Sequence, residues 1–430
     1  MFLDVQCPKR ALEYPANFPE AFSLGFQIVT ENAENYMAEE KRVKNTGLRG
    51  VAIADSAVSF IDGEKGVLIY RGYRIEDLAD RSTFMETAYL LIYGYLPSSS
   101  ELEDFDMRVR SQRSLPGHVI ESMKKMPVEA HPMDVLQAAV PMLAMADADI
   151  TDVSRERYYE RSISLLAKFP TMAAAWHRIR NGLEPLQPDN DLEHAANFLY
   201  MLQGEKPDQE TAKDLDTCLI LHADHTFNAS TFAAREVVST QASIYAGVSA
   251  AIGALSGGLH GGANARVMSM LLELEHTEDV EGWVKDRLEQ KKKIMGLGHA
   301  IYKTGDPRAV YLKRMGERLQ KKTGQPWFAI SQKIEETALA IFSAQGKNTI
   351  LPNVDFNSAP VYYLMGIPID FMTPVFAIAR VSGWCSHIIE ESFGDAQGKP
   401  ALYRPKAEYV GNYCGLFGCT YMPMSDRKKE

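Results

Sequence analysis

The chain has 430 residues, 46% hydrophobic and 24% charged, a globular balance with enough apolar side chains for a large core and for two domains. Its formal net charge of −10 argues against nucleic acid as a partner and confines any anion site to a local basic cluster. No apolar run approaches the ~20 residues of a membrane span, and five cysteines, an odd number with no CxxC, point to a reducing, cytoplasmic setting rather than a disulfide framework.

In chain order, residues 1–36 lack the apolar stretch of a secretory signal, and Asp4, Glu13 and Glu20 argue against a transit sequence. Because Met37 heads "MAEEKRVKNTGLRGV" like a natural start, they read as a dispensable extension. Residues 56–73, "SAVSFIDGEKGVLIYRGY", alternate on both sides of a DGEKG turn and predict one β-hairpin. Strand signals are otherwise few. Residues 133–146 form an apolar, alanine-rich helical segment that contains Pro141. The segment 279–294 places Val280, Trp283, Val284 and Leu288 on one helical face. The next helix opens with Asp306 as N-cap and Pro307 at the first helical position, and stops at Gly324. The fold class is therefore all-α with one minor N-terminal hairpin. The glycine-rich run 254–265 and the turn-rich loop 346–360 mark borders: 258–360 reads as a small helical domain, 37–257 with 361–430 as a large one.

Candidate chemistry gathers in the same loops. In "LHADHTFNAST", His222 and His225 are three apart, but no HExxH accompanies them, and no His stands beside Cys414 and Cys419; a metal site is not expected. His260 in "GGLHGG" has glycines on both sides that let a ligand approach the backbone, and a helix begins just after it. The positive helix end disfavours an imidazolium there, leaving a neutral donor suited to a carbonyl oxygen. Asp355 in the loop "PNVDFNS" is a proton acceptor whose basicity rises with poor solvation. His299 lies in "GLGHA". One carboxylate and two donor histidines suit proton abstraction beside a carbonyl. Arg308, Arg380 and Arg404 together suit the bidentate grip of a small dicarboxylate.

The segments "LHADHTFNAST", "GGLHGGANARVM", "GLGHAIYKTGDPRA", "PNVDFNSAP", "FAIARVSGW" and "RPKAEYVG", with "GLRGV" and "GVLIYRGYRIEDLA" before them, closely resemble the citrate synthase family from about residue 45 to 411, of the shorter bacterial and archaeal type. The resemblance implies a large and a small helical domain that close over substrate, and a homodimer. It implies condensation of acetyl-CoA with oxaloacetate and water to citrate and CoA, the entry step of the tricarboxylic acid cycle, with acetyl-CoA as substrate and no tightly bound cofactor or metal. His260 would donate to the thioester oxygen, Asp355 would remove the methyl proton, and His299 would polarise the oxaloacetate carbonyl. His225, Arg308, Arg380 and Arg404 would hold oxaloacetate, with Arg404 supplied by the partner subunit. Ser230 would orient His260. Met295, Gly296, Leu297, Gly298, Lys303 and Asn353 would touch CoA. Ala300 follows His299 where many bacterial members carry arginine. Residues 1–36 do not resemble the N-terminal domain of NADH-regulated hexamers, so a dimer without NADH control is expected. The alternatives are a 2-methylcitrate synthase using propionyl-CoA, separated by a single methyl group, and a non-catalytic CoA-binding relative.

Overall fold

Asp62 starts the first turn by accepting the N–H groups of Glu64 and Lys65 at 3.1 and 3.0 Å, and Gly66 completes it in the left-handed region. This turn pairs β1 (Ser59–Asp62) with β2 (Val67–Tyr70), antiparallel, with Ser59 opposite Tyr70. A second reversal at Arg71 and Gly72 adds β3 (Tyr73–Arg74), so the expected hairpin is a three-stranded sheet in the order β1-β2-β3. The computed structural model describes residues 47–48, 50–277, 279–298, 301–411 and 419–427. The expectations for residues 1–36, His299 and Ala300 lie outside them. Within the first 53 residues, the described part is a turn in which Val51 N–H meets Leu48 O at 3.1 Å. Residues from Ala54 onward form one compact unit.

That unit is helical. α1 (Ile75–Arg81), α2 (Phe84–Tyr93), α3 (Ser99–Ser111), α4 (Gly117–Met123), α5 (Pro132–Ala144), α6 (Arg155–Arg180), α7 (His194–Gln203), α8 (Gln209–His222), α9 (Ala229–Ser239) and α10 (Ile244–Ser256) precede the glycine-rich run. α11 (Ala263–Leu272), α12 (Val280–Glu289), α13 (Ala309–Thr323), α14 (Trp327–Ala344) and α15 (Val354–Leu364) follow it and pack on one another. α16 (Met372–Phe393) is buried from Met372 to Glu391, apolar on nearly every face, and packs on α2, α5, α6, α8, α9, α10 and α11. A helix without a wet face is a core helix, and this one is the axis against which the functional segments are aligned.

Local signals explain the boundaries. Ser98 and Glu101 form a capping box at α3, and Gly324 ends α13 in the left-handed conformation. Two expectations need correction. α13 begins at Ala309, and Asp306 is not its N-cap: the Asp306 carboxylate accepts the Arg308 N–H at 3.0 Å and grips the Arg308 side chain instead. Asp355 is not in a loop: Asn353 caps α15 by accepting the Phe356 N–H at 3.1 Å, so Asp355 sits in the first helical turn. The cysteines also depart from the expected reduced state. Cys218 and Cys385 are buried and free, but Cys419 is disulfide-bonded.

Candidate active site

The site is assembled where the end of α8, the starts of α9, α11, α13 and α15, and the middle of α16 meet. Gly261 allows the turn before α11: a Cβ there would lie 2.2 Å from Leu255 O, whose carbonyl accepts the Gly261 N–H at 2.9 Å. This turn presents His260 to the first turn of α9. Asn228 caps α9, its Oδ1 accepting the Ser230 and Thr231 N–H groups, each at 3.1 Å. The cap fixes the Ser230 backbone, whose N–H also points at His260 Nε2 at 3.2 Å, with Ser230 Oγ at 2.9 Å from the same nitrogen. The backbone N–H can only donate, so Nε2 accepts and the ring hydrogen sits on Nδ1. Burial, aided by the Arg380 guanidinium, pushes the His260 pKa down to about 4, so the ring is neutral at physiological pH.

Asp355 has the opposite shift. Burial raises its carboxyl to about 6, although Arg308, Arg266 and Arg380 pull it down. A carboxylate with this affinity for protons is a far better base than a solvated one. The Arg380 guanidinium acts on both Asp355 and His260, and Arg308 acts on Asp355; both arginines are almost completely buried.

The two arginines differ in what they have left to offer. Arg308 forms a bidentate pair with Asp306, Nε to Oδ1 at 2.8 Å and Nη2 to Oδ2 at 2.7 Å, and Nη1 lies 3.4 Å from Leu221 O. Arg380 donates only Nε, to His222 O at 2.7 Å, while its guanidinium stacks 4.6 Å over Phe376. Burial lowers its pKa to about 10, so it remains a cation. Among the described residues no group hydrogen-bonds its two terminal nitrogens, the paired donors a carboxylate takes. Its environment fits an anion.

The remaining site candidates differ in burial and partners. His225 is buried, with its ring 5.7 Å from that of Tyr302. Met295 to Gly298 are half-buried and tied to the start of α15: Asn353 N–H meets Gly296 O at 2.9 Å, Gly298 N–H meets Leu351 O at 2.8 Å, and Asn353 Nδ2 meets Gly298 O at 3.2 Å. Gly296 has φ +79°, and a Cβ there would fall 2.7 Å from Phe356 Cβ, so glycine is required. Lys303 is exposed; its N–H meets Gly63 O at 2.9 Å and its ammonium pairs with Glu64 of the β1–β2 turn. Arg404 is exposed, without a hydrogen bond or ion pair to described residues, whereas its neighbour Tyr403 is anchored through its hydroxyl to Glu391 Oε2 at 2.7 Å. His222 is a core residue, its Nδ1 donating to Cys218 O at 2.7 Å.

Sequence reading did not single out Trp384, Asp224, Arg235 or His387. Trp384 Nε1 donates to Ser230 Oγ at 3.1 Å. Asp224 accepts the Ser59 hydroxyl and the Thr226 N–H, and its backbone N–H and C=O both meet the Tyr70 hydroxyl, at 3.1 and 2.8 Å. Arg235, fully buried, is held by Glu390 at 2.5 Å and Glu391 at 2.7 Å, and its Nη1 lies 3.2 Å from His387 Nδ1. The available signal was spacing: Arg380, Trp384 and His387 recur at i, i+4 and i+7 on one face of α16.

Residues 47–406 match the family model described as "Citrate synthase, C-terminal domain". A citrate synthase of Synechocystis is 43% identical over 394 residues, covering 91% of this chain and 96% of that protein. A 2-methylcitrate synthase of Mycobacterium tuberculosis is 41% identical over 367 residues, covering 85% and 90%. The solved ternary complex of the Thermoplasma acidophilum citrate synthase with carboxymethyl coenzyme A and oxaloacetate superimposes with a TM-score of 0.81 at 32% identity, over 88% of this chain and 98% of that one. The all-α fold and the sequence agree over nearly the whole of each relative, and the chain belongs to the citrate synthase family.

Proposed function

We propose that the chain is a citrate synthase, an acyltransferase that condenses acetyl-CoA with oxaloacetate and water to give citrate and CoA. The observation that carries this is the family match over residues 47–406, supported by a buried Asp355 and a neutral His260 that both feel the Arg380 guanidinium. A thioester methyl is too weak an acid for a carboxylate alone. Asp355 removes the proton while His260 Nδ1–H donates to the oxygen that gains charge, giving an enol. The enol carbon attacks the oxaloacetate carbonyl. His299 supplies the donor there, a role that rests on the family motif. Hydrolysis of the citryl thioester then releases CoA.

In this reading Arg380 offers its two terminal nitrogens to one substrate carboxylate, with Arg308 and His225 nearby. Arg404 comes from the partner subunit of a homodimer, which its exposure and lack of local partners support. Met295 to Gly298, Asn353 and Lys303 contact CoA. Residues 258–360 act as the small domain that closes on the large one and excludes water during condensation; the mutual packing of α11 to α15 supports this division. Both reactants arrive as substrates, so no resident cofactor enters. Among the described residues no helix is long and apolar enough to cross a membrane.

The second reading, 2-methylcitrate synthesis from propionyl-CoA, is favoured by the 41% identity to such an enzyme. The experiment is thiol release with oxaloacetate and each acyl-CoA, with the product identified. Citrate formed at the higher kcat/KM supports the proposal; a higher kcat/KM for propionyl-CoA transfers it to the second reading.

A further inference from the structure

We infer that Trp384 is a positioning residue for His260, acting through the Ser230 hydroxyl. The inference rests on the reading of His260 as donor to the thioester oxygen. Ser230 Oγ is fully buried and meets three groups: Trp384 Nε1 at 3.1 Å, His260 Nε2 at 2.9 Å and Asn228 Oδ1 at 2.7 Å. A hydroxyl has one proton and two lone pairs, and an indole N–H can only donate. Trp384 therefore takes one lone pair. The proton then goes either to Asn228 or to His260.

The two choices have different consequences for the reaction. If the proton goes to Asn228, His260 Nε2 must carry its own hydrogen to meet Oγ, and Nδ1 is left bare. If it goes to His260, Nε2 is an acceptor and Nδ1 keeps the hydrogen that a thioester oxygen needs. Two fixed groups favour the second. The Ser230 backbone N–H, held by the α9 cap, points at Nε2, where a ring hydrogen would collide with it. Asn228 Oδ1 already accepts two backbone N–H groups. Trp384 completes the arrangement by pinning the hydroxyl's rotation, and its donation into Oγ strengthens the onward donation to Nε2. The same helix carries Arg380 one turn earlier, so α16 sets the donor of one substrate and the anion grip of the other from a single rigid element.

The competing explanation is packing, because the Trp384 ring also lies edge-on to Phe169 at 6.5 Å in the core. Trp384→Phe keeps an aromatic ring and removes the N–H. We expect kcat to fall roughly 3–10-fold, the worth of one hydrogen bond, with the oxaloacetate KM unchanged. On a Ser230→Ala background the same substitution should cost nothing more. In 15N-histidine-labelled enzyme the His260 resonances should move from the Nδ1–H form towards a mixture of tautomers. Equal losses on both backgrounds, or a rise in KM at constant kcat, would overturn the inference in favour of packing. His260→Ala separates the inference from the reading beneath it. An intact kcat there overturns the donor role, whereas a tautomer signal unmoved by Trp384→Phe overturns the link.

Discussion

Asp355 is placed so that its chemistry and its cost have the same origin. Burial lifts its pKa from 3.8 to about 6, so between those values the folded state binds a proton that the unfolded state has released. Stability therefore falls as pH rises through that window and is flat above it. At roughly 1.4 kcal/mol per unit the ionised carboxylate costs the fold up to about 3 kcal/mol at neutral pH. Asp355→Asn should accordingly raise Tm at pH 8 more than at pH 4, while kcat falls about 10²–10⁴-fold and oxaloacetate binding, followed by calorimetry, persists. A Tm unchanged at both pH values would mean that the carboxylate is not desolvated. The same shift sets the pH profile. kcat/KM should decline below about pH 6 as Asp355 is protonated; His260, at about 4, titrates too low to account for that limb. The Arg380 guanidinium offers a matching test at the substrate end. Arg380→Lys replaces two paired donors with a point charge, and a lost charged hydrogen bond of about 1.5–3 kcal/mol should raise the oxaloacetate KM by one to two orders of magnitude with little change for acetyl-CoA.

Among the elements, the turn 295–298 and the start of α15 behave as one unit, since Asn353 both caps the helix and holds the Gly298 carbonyl. Asn353→Ala should cost about 1 kcal/mol through the lost cap and raise the acetyl-CoA KM, read together by thermal melting and kinetics; a melting change without the KM change would detach the turn from CoA. This region also marks how far the sequence could be read. Periodicity, Gly324 and the DGEKG turn are local signals, and the helices and hairpin they predict are present because no distant contact competes with them. "PNVDFNS" reads as loop because Asn, Pro and Ser favour turns. The structure uses the same asparagine as an N-cap, and Pro360 is tolerated within the helix. Asp306 reads as an N-cap for a related reason: its carboxylate does accept a backbone N–H two residues on, but that residue is Arg308, whose buried guanidinium it also pairs with. His260, Asp355, Arg308 and Arg380 can be nominated from the sequence because their residue types already state a chemistry. Trp384, Asp224, Arg235 and His387 cannot. Each acts through a partner at least 150 residues away, and no window of sequence contains both ends.

At the scale of the whole molecule, the buried ion cluster of α9 and α16 connects the site to the C-terminal segment. Arg235 pairs with both Glu390 and Glu391, and Glu391 anchors Tyr403 next to Arg404. In the proposed homodimer that arginine completes the site of the other subunit, and two inactive variants test the exchange. Arg404→Ala and Asp355→Asn should each be nearly inactive alone. If Arg404 acts across the interface, a mixed dimer contains one site with both residues intact and one with both replaced. Random re-association after partial denaturation makes about half the dimers mixed, so about a quarter of the sites, and of wild-type activity, should return. If Arg404 serves its own subunit, every site in the mixed dimer carries one defect and nothing returns. A re-associated mixture that is dimeric by light scattering yet inactive would place Arg404 in its own subunit's site. Recovery of the quarter would also explain why the fold fixes Tyr403 against a buried carboxylate yet leaves the next side chain exposed.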